Sequence, residues 1–294
     1  MRSRLQEKLE DEQKRAPIPM AMREYAEDGA LAFHTPGHKQ GLGAHPLLKA
    51  LVTEEGLREE VSLMEELDDL HEPTMCIKEA QKMAASLYGA DQAFFMINGT
   101  TGAIHTMLMG ALAPGDTVLV PRNAHRSMIG GIILAGAQPV FLQPEVDERL
   151  GIAMGLTEET VARAIAAHPE AKALACVYPT YYGVTTDLSA IAEMAHAHGM
   201  LLLVDEAHGA HLRFSDALPP QAIDCGADMA AQEVLHVGAE VKAQEDLARP
   251  GQDGDESHQG TPGVADVEVA EVSPVDLALF ARQGAQAPAV AAVQ

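Results

Sequence analysis

Between Ile77 and Met229, short continuous apolar runs alternate with stretches in which apolar residues return every three to four positions. A strand covered on both faces reads as a continuous apolar run, and a helix lying on such a strand reads with the helical period. The alternation therefore predicts a mostly parallel sheet with crossover helices. Six strands are expected, at Ala93–Ile97, Thr117–Val120, Gln138–Leu142, Ala173–Val177, Leu201–Val204 and, with the weakest pattern, Asp228–Ala231. Helices are expected at Ile77–Tyr88, Gly102–Ala111, Ser127–Ala135, Glu158–Ala167 and Leu188–His198, the last with Asp187 as N-cap. Ahead of this body, residues 1–62 read as an N-terminal arm with one helix around Met20–Glu27 and an irregular stretch rich in Gly and His. The fold class implied is α/β, a three-layer sandwich around a mostly parallel sheet.

The pattern stops at Gln232. Residues 233–294 turn to Ala, Gly, Gln, Asp and Glu, with Phe280 the only aromatic residue. This tail carries 11 acids against three bases, Lys242, Arg249 and Arg282, and has neither period, so disorder is its expected state. The body at 63–232 is expected to hold the core.

Composition narrows the partners. With 43 acidic and 20 basic residues the net charge is −23, which opposes nucleic acid and anionic membranes and leaves small molecules or proteins. Cys76, Cys176 and Cys225 are scattered and odd in number, as buried thiols in a reducing compartment would be. The N-terminus is charged from Arg2 to Arg15, and no apolar run reaches the roughly 18 residues of a membrane span. Cytoplasm is the expected location.

Ligands of an open parallel sheet bind beyond the carboxyl ends of its strands. After Ile97 comes Asn98-Gly99-Thr100-Thr101-Gly102, opening a helix whose free N–H groups and dipole suit a phosphate. A plain strand-to-helix turn with Thr as N-cap would read the same way. After Val204 comes Asp205-Glu206-Ala207-His208-Gly209-Ala210-His211, a carboxylate at the mouth of a buried strand that needs a cationic partner. A protonated heterocyclic nitrogen, a metal shared with His208 and His211, or the magnesium of a nucleoside triphosphatase would each serve. The last fails, because the nearest phosphate-loop approximation, Gly110–Thr117, has Asp116 in place of the required lysine. The metal lacks convergent ligands, since His196 and His198 at i,i+2 face apart on their helix, and no metal is expected. After Val120 comes His125, whose flat ring could cover an aromatic one. Anion cup, stacking imidazole and ring-nitrogen carboxylate, in this order, are the parts of a pyridoxal-phosphate site.

The sequence resembles the Orn/Lys/Arg decarboxylase family, which has the aspartate-aminotransferase-like fold. The matching blocks are Phe33–Gly41, Leu67–Thr74, Asn98–Ile104, Tyr178–Gly183 and Val204–His211, within a span from about Pro17 to Gln232. The resemblance implies that Gly99, Thr100 and Thr101 hold the phosphate of pyridoxal 5'-phosphate, that His125 stacks on the ring and Asp205 pairs with its nitrogen, and that His208 and Thr180 lie close to the cofactor. Asp205, His208 and His125 are then the catalytic candidates. The reaction implied is decarboxylation of Lys, Arg or Orn to the amine, a step towards polyamines, with a homodimer expected of intact relatives. An aminotransferase or aldolase of the same fold is a second reading, disfavoured by the His34–Gly41 and Asp68–Thr74 blocks. A non-catalytic protein that binds the cofactor or pairs with a full-length paralogue is a third.

Two departures qualify the resemblance. Met75 stands where relatives carry glycine. After Gln232 the family places Ser-x-His-Lys, whose lysine holds the cofactor covalently; here the chain reads Glu233-Val234-Leu235-His236 and has no lysine before Lys242. The expectation is an incomplete large domain, as a frameshifted or prematurely ended reading frame would produce, that binds the cofactor noncovalently at best.

Overall fold

The structure, a computed structural model, describes residues 14–233, 279–281 and 292–293. Helix α1 (Pro17–Glu27) is followed by α2 (Pro46–Val52) and α3 (Glu54–Glu59) in the arm, then by α4 (Cys76–Tyr88), β1 (Gln92–Phe95), α5 (Gly99–Ala111), β2 (Thr117–Pro121), α6 (Arg126–Ala135) and β3 (Gln138–Leu142). A small hairpin of β4 (Val146–Asp147) and β5 (Ile152–Ala153) precedes α7 (Glu158–Ala167), β6 (Ala173–Val177), α8 (Leu188–Ala197), β7 (Leu201–Glu206) and β8 (Met229–Gln232). A single 3-10 turn, Leu212–Phe214, lies between β7 and β8, and two short strands, β9 (Leu279–Ala281) and β10 (Ala292–Val293), complete the described elements.

The sheet runs β8-β7-β6-β2-β3 with every one of these pairings parallel. The chain steps outward from β2 to β3, then reverses through β6 and β7 to β8. Right-handed crossovers in that order place α6 on one face and α7 and α8 on the other. The packing agrees, with α5 against α6 and α7 against α8. Continuous apolar runs are buried on both faces as expected: Val118–Val120, Ala173–Ala175 and Leu202–Val204 are all fully enclosed. The edge strand β3 exposes most of its residues, and Arg122 covers its Phe141 ring at 5.2 Å.

Small residues allow the helical layer to close. A Cβ on Gly131 would lie 2.5 Å from Leu108 Cδ1, and one on Gly130 would lie 2.8 Å from His105 Nε2. A side chain at either position must displace the tip of His105 or Leu108 from the seam between α5 and α6.

Most expected elements sit within a few residues of their predicted ends, and Asp187 caps α8 by accepting from Ala190 N. The arm is the main departure, because it forms α2 and α3 where an irregular stretch was expected. Both helices are short and capped locally, by His45 and Thr53, so the apolar period had little length in which to show. The expectation of a disordered tail falls largely outside the described residues. Its described pieces enter the sheet: β9 lies antiparallel between β1 and β8, and β10 pairs parallel with both.

The Leu67–Thr74 block is built around one carboxylate. Asp68 is buried and accepts from the backbone N–H groups of Asp69, Thr74, Met75 and Ile77 at 2.9 Å and of Lys78 at 3.4 Å, fastening the loop to the N-terminus of α4. Burial raises the Asp68 pKa, but these backbone bonds outweigh it and hold the carboxyl below its ordinary value. Met75 keeps its N–H in this network and leaves its side chain about half exposed, so the departure from glycine there costs the loop no hydrogen bond.

Candidate functional site

Asp205 lies near the end of β7 and is only 4% exposed. Burial pushes its carboxyl above the ordinary value; the Ala207 N–H, donating at 3.3 Å, and the rings of His125 and His208 work against that, while Glu233 adds to it. A buried carboxylate in this state has its strongest demand for a cation held close to it.

The three strand-end candidates Asp205, His125 and His208 are thus brought within electrostatic reach of one another. His125 precedes α6 and caps it: its Nδ1 lies 3.3 Å from Ser127 N and 2.8 Å from Ser127 Oγ. These bonds fix the ring while leaving it exposed. His208 is also exposed and meets the Tyr181 ring edge-on, with centroids 5.9 Å apart. Thr180 is buried in the turn after β6, its N–H donating to Val184 O and its hydroxyl accepting from Val184 N at 3.2 Å. The hydroxyl proton of Thr180 remains able to donate. Thr180, Tyr181, His208 and His211 line one cleft of about 530 Å³.

The anion cup opens α5. Asn98 and Gly99 both take left-handed backbone, with φ of 74° and 70°, turning the chain sharply out of β1 into the helix. A Cβ on Gly102 would lie 2.5 Å from Ile97 O, so this turn closes only around glycine. Neither Thr is the N-cap; Asn98 holds that position, and Gly99, Thr100 and Thr101 form the first turn. Thr100 is buried, and its hydroxyl donates to Glu233 Oε2 at 3.2 Å.

Glu206 was quoted in the sequence only as part of a block. Side chains alternate across a strand, so it points away from Asp205 and into the core. It is fully buried, accepting from Ala222 N at 2.8 Å and from Gln232 Nε2 at 2.7 Å. Burial pushes its carboxyl up to about 8 despite those two bonds. The strand was expected to end at Val204 but runs through Glu206, so the alternation that buries Glu206 lay beyond the expected strand end.

Comparison with known proteins decides the lineage. The major domain of Orn/Lys/Arg decarboxylases matches residues 16–250. The chain belongs to the Orn/Lys/Arg decarboxylase family. That match runs past Gln232, where the quoted blocks end, and so includes Lys242, which lies outside the described residues. Among relatives, an arginine decarboxylase of Bacillus subtilis (strain 168) is 44% identical over 226 residues, covering 77% of this chain and 46% of that protein. A lysine decarboxylase of Pseudomonas aeruginosa is 32% identical over 218 residues, 68% of this chain and 29% of its own length. The chain therefore spans about half or less of these relatives. The solved lysine decarboxylase A from Pseudomonas aeruginosa superposes with a TM-score of 0.64 at 29% identity over 74% of this chain and 32% of that one. The constitutive lysine decarboxylase of E. coli gives 0.59 at 25% identity over 71% and 31%.

Among the described residues no helix is long and apolar enough to cross a membrane, and no group of three or more His, Cys, Asp or Glu side chains is placed to hold a metal ion. The ring end of the site fits a protonated pyridine, because Asp205 is buried beside two imidazoles. The phosphate end fits less well, because the Glu233 carboxylate already stands there.

Proposed function

We propose that this chain carries the cofactor-binding part of a pyridoxal-phosphate-dependent decarboxylase of Lys, Arg or Orn, and that as it reads after Gln232 it binds the cofactor noncovalently and turns over no substrate. The observation that carries this reading is the buried Asp205 carboxyl with His125 and His208 about it, inside a span that matches the decarboxylase major domain. When bound, pyridoxal phosphate supplies an electron sink for the pair left on Cα as carbon dioxide departs.

The residues of the chain supply the rest. Asp205 would pair with a protonated ring nitrogen, and its burial would keep that pair from water. His125, fixed by Ser127, would cover the ring. Thr180, whose hydroxyl accepts from Val184 N, would have its hydroxyl proton to offer the ring oxygen, and His208 would lie close to the cofactor beside Tyr181. Gly99, Thr100 and Thr101 would receive the phosphate, against the Glu233 carboxylate that Thr100 now holds. The same reading makes an amino acid the small-molecule partner, without nucleic acid or membrane, and gives the intact enzyme a homodimer and a cytoplasmic setting.

The test is to incubate the full chain with pyridoxal phosphate, reduce with borohydride and map pyridoxyl-labelled peptides, while measuring carbon dioxide release from Lys, Arg and Orn. The expected result is a cofactor absorbance change reversed by dialysis, no specific label and no carbon dioxide. Specific labelling of Lys242 with carbon dioxide release would overturn the inactive reading; absence of any cofactor binding would overturn the site.

A further inference from the structure

The anion cup at the start of α5 contains an anion from the chain itself. The Thr100 hydroxyl donates to the Glu233 carboxylate, and Thr100 is buried in the first turn, where the helix dipole and unpaired N–H groups favour negative charge. Glu233 is held there from behind. It follows β8 directly, and the preceding residue, Gln232, is fully buried and tied to Glu206 by a 2.7 Å hydrogen bond. Its charge is also felt at Asp205, where it opposes ionisation of that carboxyl.

A phosphate ester entering this cup must displace a tethered carboxylate or lie beside it, and either course weakens binding. A pyridine without phosphate leaves the Thr100–Glu233 hydrogen bond in place and meets Glu233 only through its weaker effect across space on Asp205. We propose that Glu233 is a built-in occupant of the phosphate cup that sets the specificity of the site, disfavouring inorganic phosphate and phosphorylated pyridines and leaving unphosphorylated pyridoxal the better-matched ligand. This rests on the pyridoxal reading of the site. It differs from the missing lysine in its consequence, because it concerns reversible affinity rather than covalent attachment.

The experiment titrates the full chain and its Glu233→Gln, Glu233→Ser and Glu233→Asp variants with inorganic phosphate, pyridoxal and pyridoxal phosphate, using calorimetry and the amide resonances of residues 99–101. Losing one charge-assisted hydrogen bond and one like-charge neighbour makes phosphate and pyridoxal phosphate bind Glu233→Gln about ten- to a hundred-fold more tightly than the parent. Pyridoxal affinity stays within about two-fold, Glu233→Ser follows Glu233→Gln, and Glu233→Asp stays near the parent because it keeps the charge. The parent alone provides a check that needs no variant: it binds pyridoxal at least as tightly as pyridoxal phosphate. A parent that prefers pyridoxal phosphate ten-fold or more, or a Glu233→Gln variant with unchanged phosphate affinity, would overturn the inference. If phosphate affinity responds to Glu233→Gln while neither pyridine binds any chain, the cup inference stands and the pyridoxal reading falls.

Discussion

Replacing Glu206 by Gln should change how stability depends on pH. In the folded chain the carboxyl is enclosed by protein and its pKa rises from 4.5 to about 8; in the unfolded chain it returns to the lower value. Between those limits the folded state binds more protons than the unfolded state, so this group makes stability fall as pH rises. The maximum slope is roughly 1.4 kcal/mol per pH unit, which amounts to about 2–3 kcal/mol between pH 5 and pH 7. Gln carries no proton to lose and resembles the protonated acid. It can also meet Gln232, whose buried Oε1 has no hydrogen-bond partner among the described residues and becomes an acceptor when the amide turns over. Urea unfolding of parent and variant, followed by far-ultraviolet circular dichroism at several pH values, isolates the term because every other titrating group cancels in the difference. The variant should match the parent or fall slightly below it near pH 5 and gain on it steadily up to pH 8. Parallel pH profiles for the two chains would refute a raised Glu206 pKa and the burial argument behind it.

Two further changes test the frame that positions the site. Asp68→Ala leaves five backbone N–H groups without their shared acceptor; chemical unfolding at neutral pH should show a loss of about 2–4 kcal/mol, within reach of one to two charged hydrogen bonds. Since the folded pKa of Asp68 is depressed, its contribution is present above the unfolded value and disappears as pH falls through the folded one. Gly131→Ala places a methyl 2.5 Å from Leu108 Cδ1, so the melting temperature should drop by an amount equivalent to about 1–3 kcal/mol, and the same substitution should cost less in a chain that already carries Leu108→Ala, as a double-mutant cycle would read.

The central sheet was legible because its strands are buried on both faces and its helices on one, which gives two distinct periods in the sequence. Leu202–Val204 and Val161–Ile165 illustrate the contrast. Helices α2 and α3 were missed because one or two turns show no period; the start signals that were present, Pro46 at the head of α2 and the Thr53 cap followed by two acids in α3, went unread. At the site, Asp205 was readable from its position near a strand end, but the left-handed turn at Asn98-Gly99 was not read, and the helix was expected to start three residues later than it does. The double duty of His125 as helix cap was hidden, because a histidine is an uncommon cap and its Ser127 partner carries no special pattern. Glu233 was readable only as the wrong residue after Gln232. Its meeting with Thr100 joins residues 133 apart in sequence, and that juxtaposition exists only once β8 lies beside β7.

The Asp68 loop bears on which sequences can share this fold. All five partners of the carboxylate are main-chain groups, so the loop is specified by one side chain and a backbone path. Side chains at 69, 74, 75, 77 and 78 are free to drift without disturbing those bonds, as the half-exposed Met75 side chain illustrates. The substitution barred at all five is proline, which has no N–H to give. Pro73 occupies a neighbouring position that none of the five bonds uses. A lineage can therefore vary the chemistry displayed on this loop widely while Asp68 stays fixed.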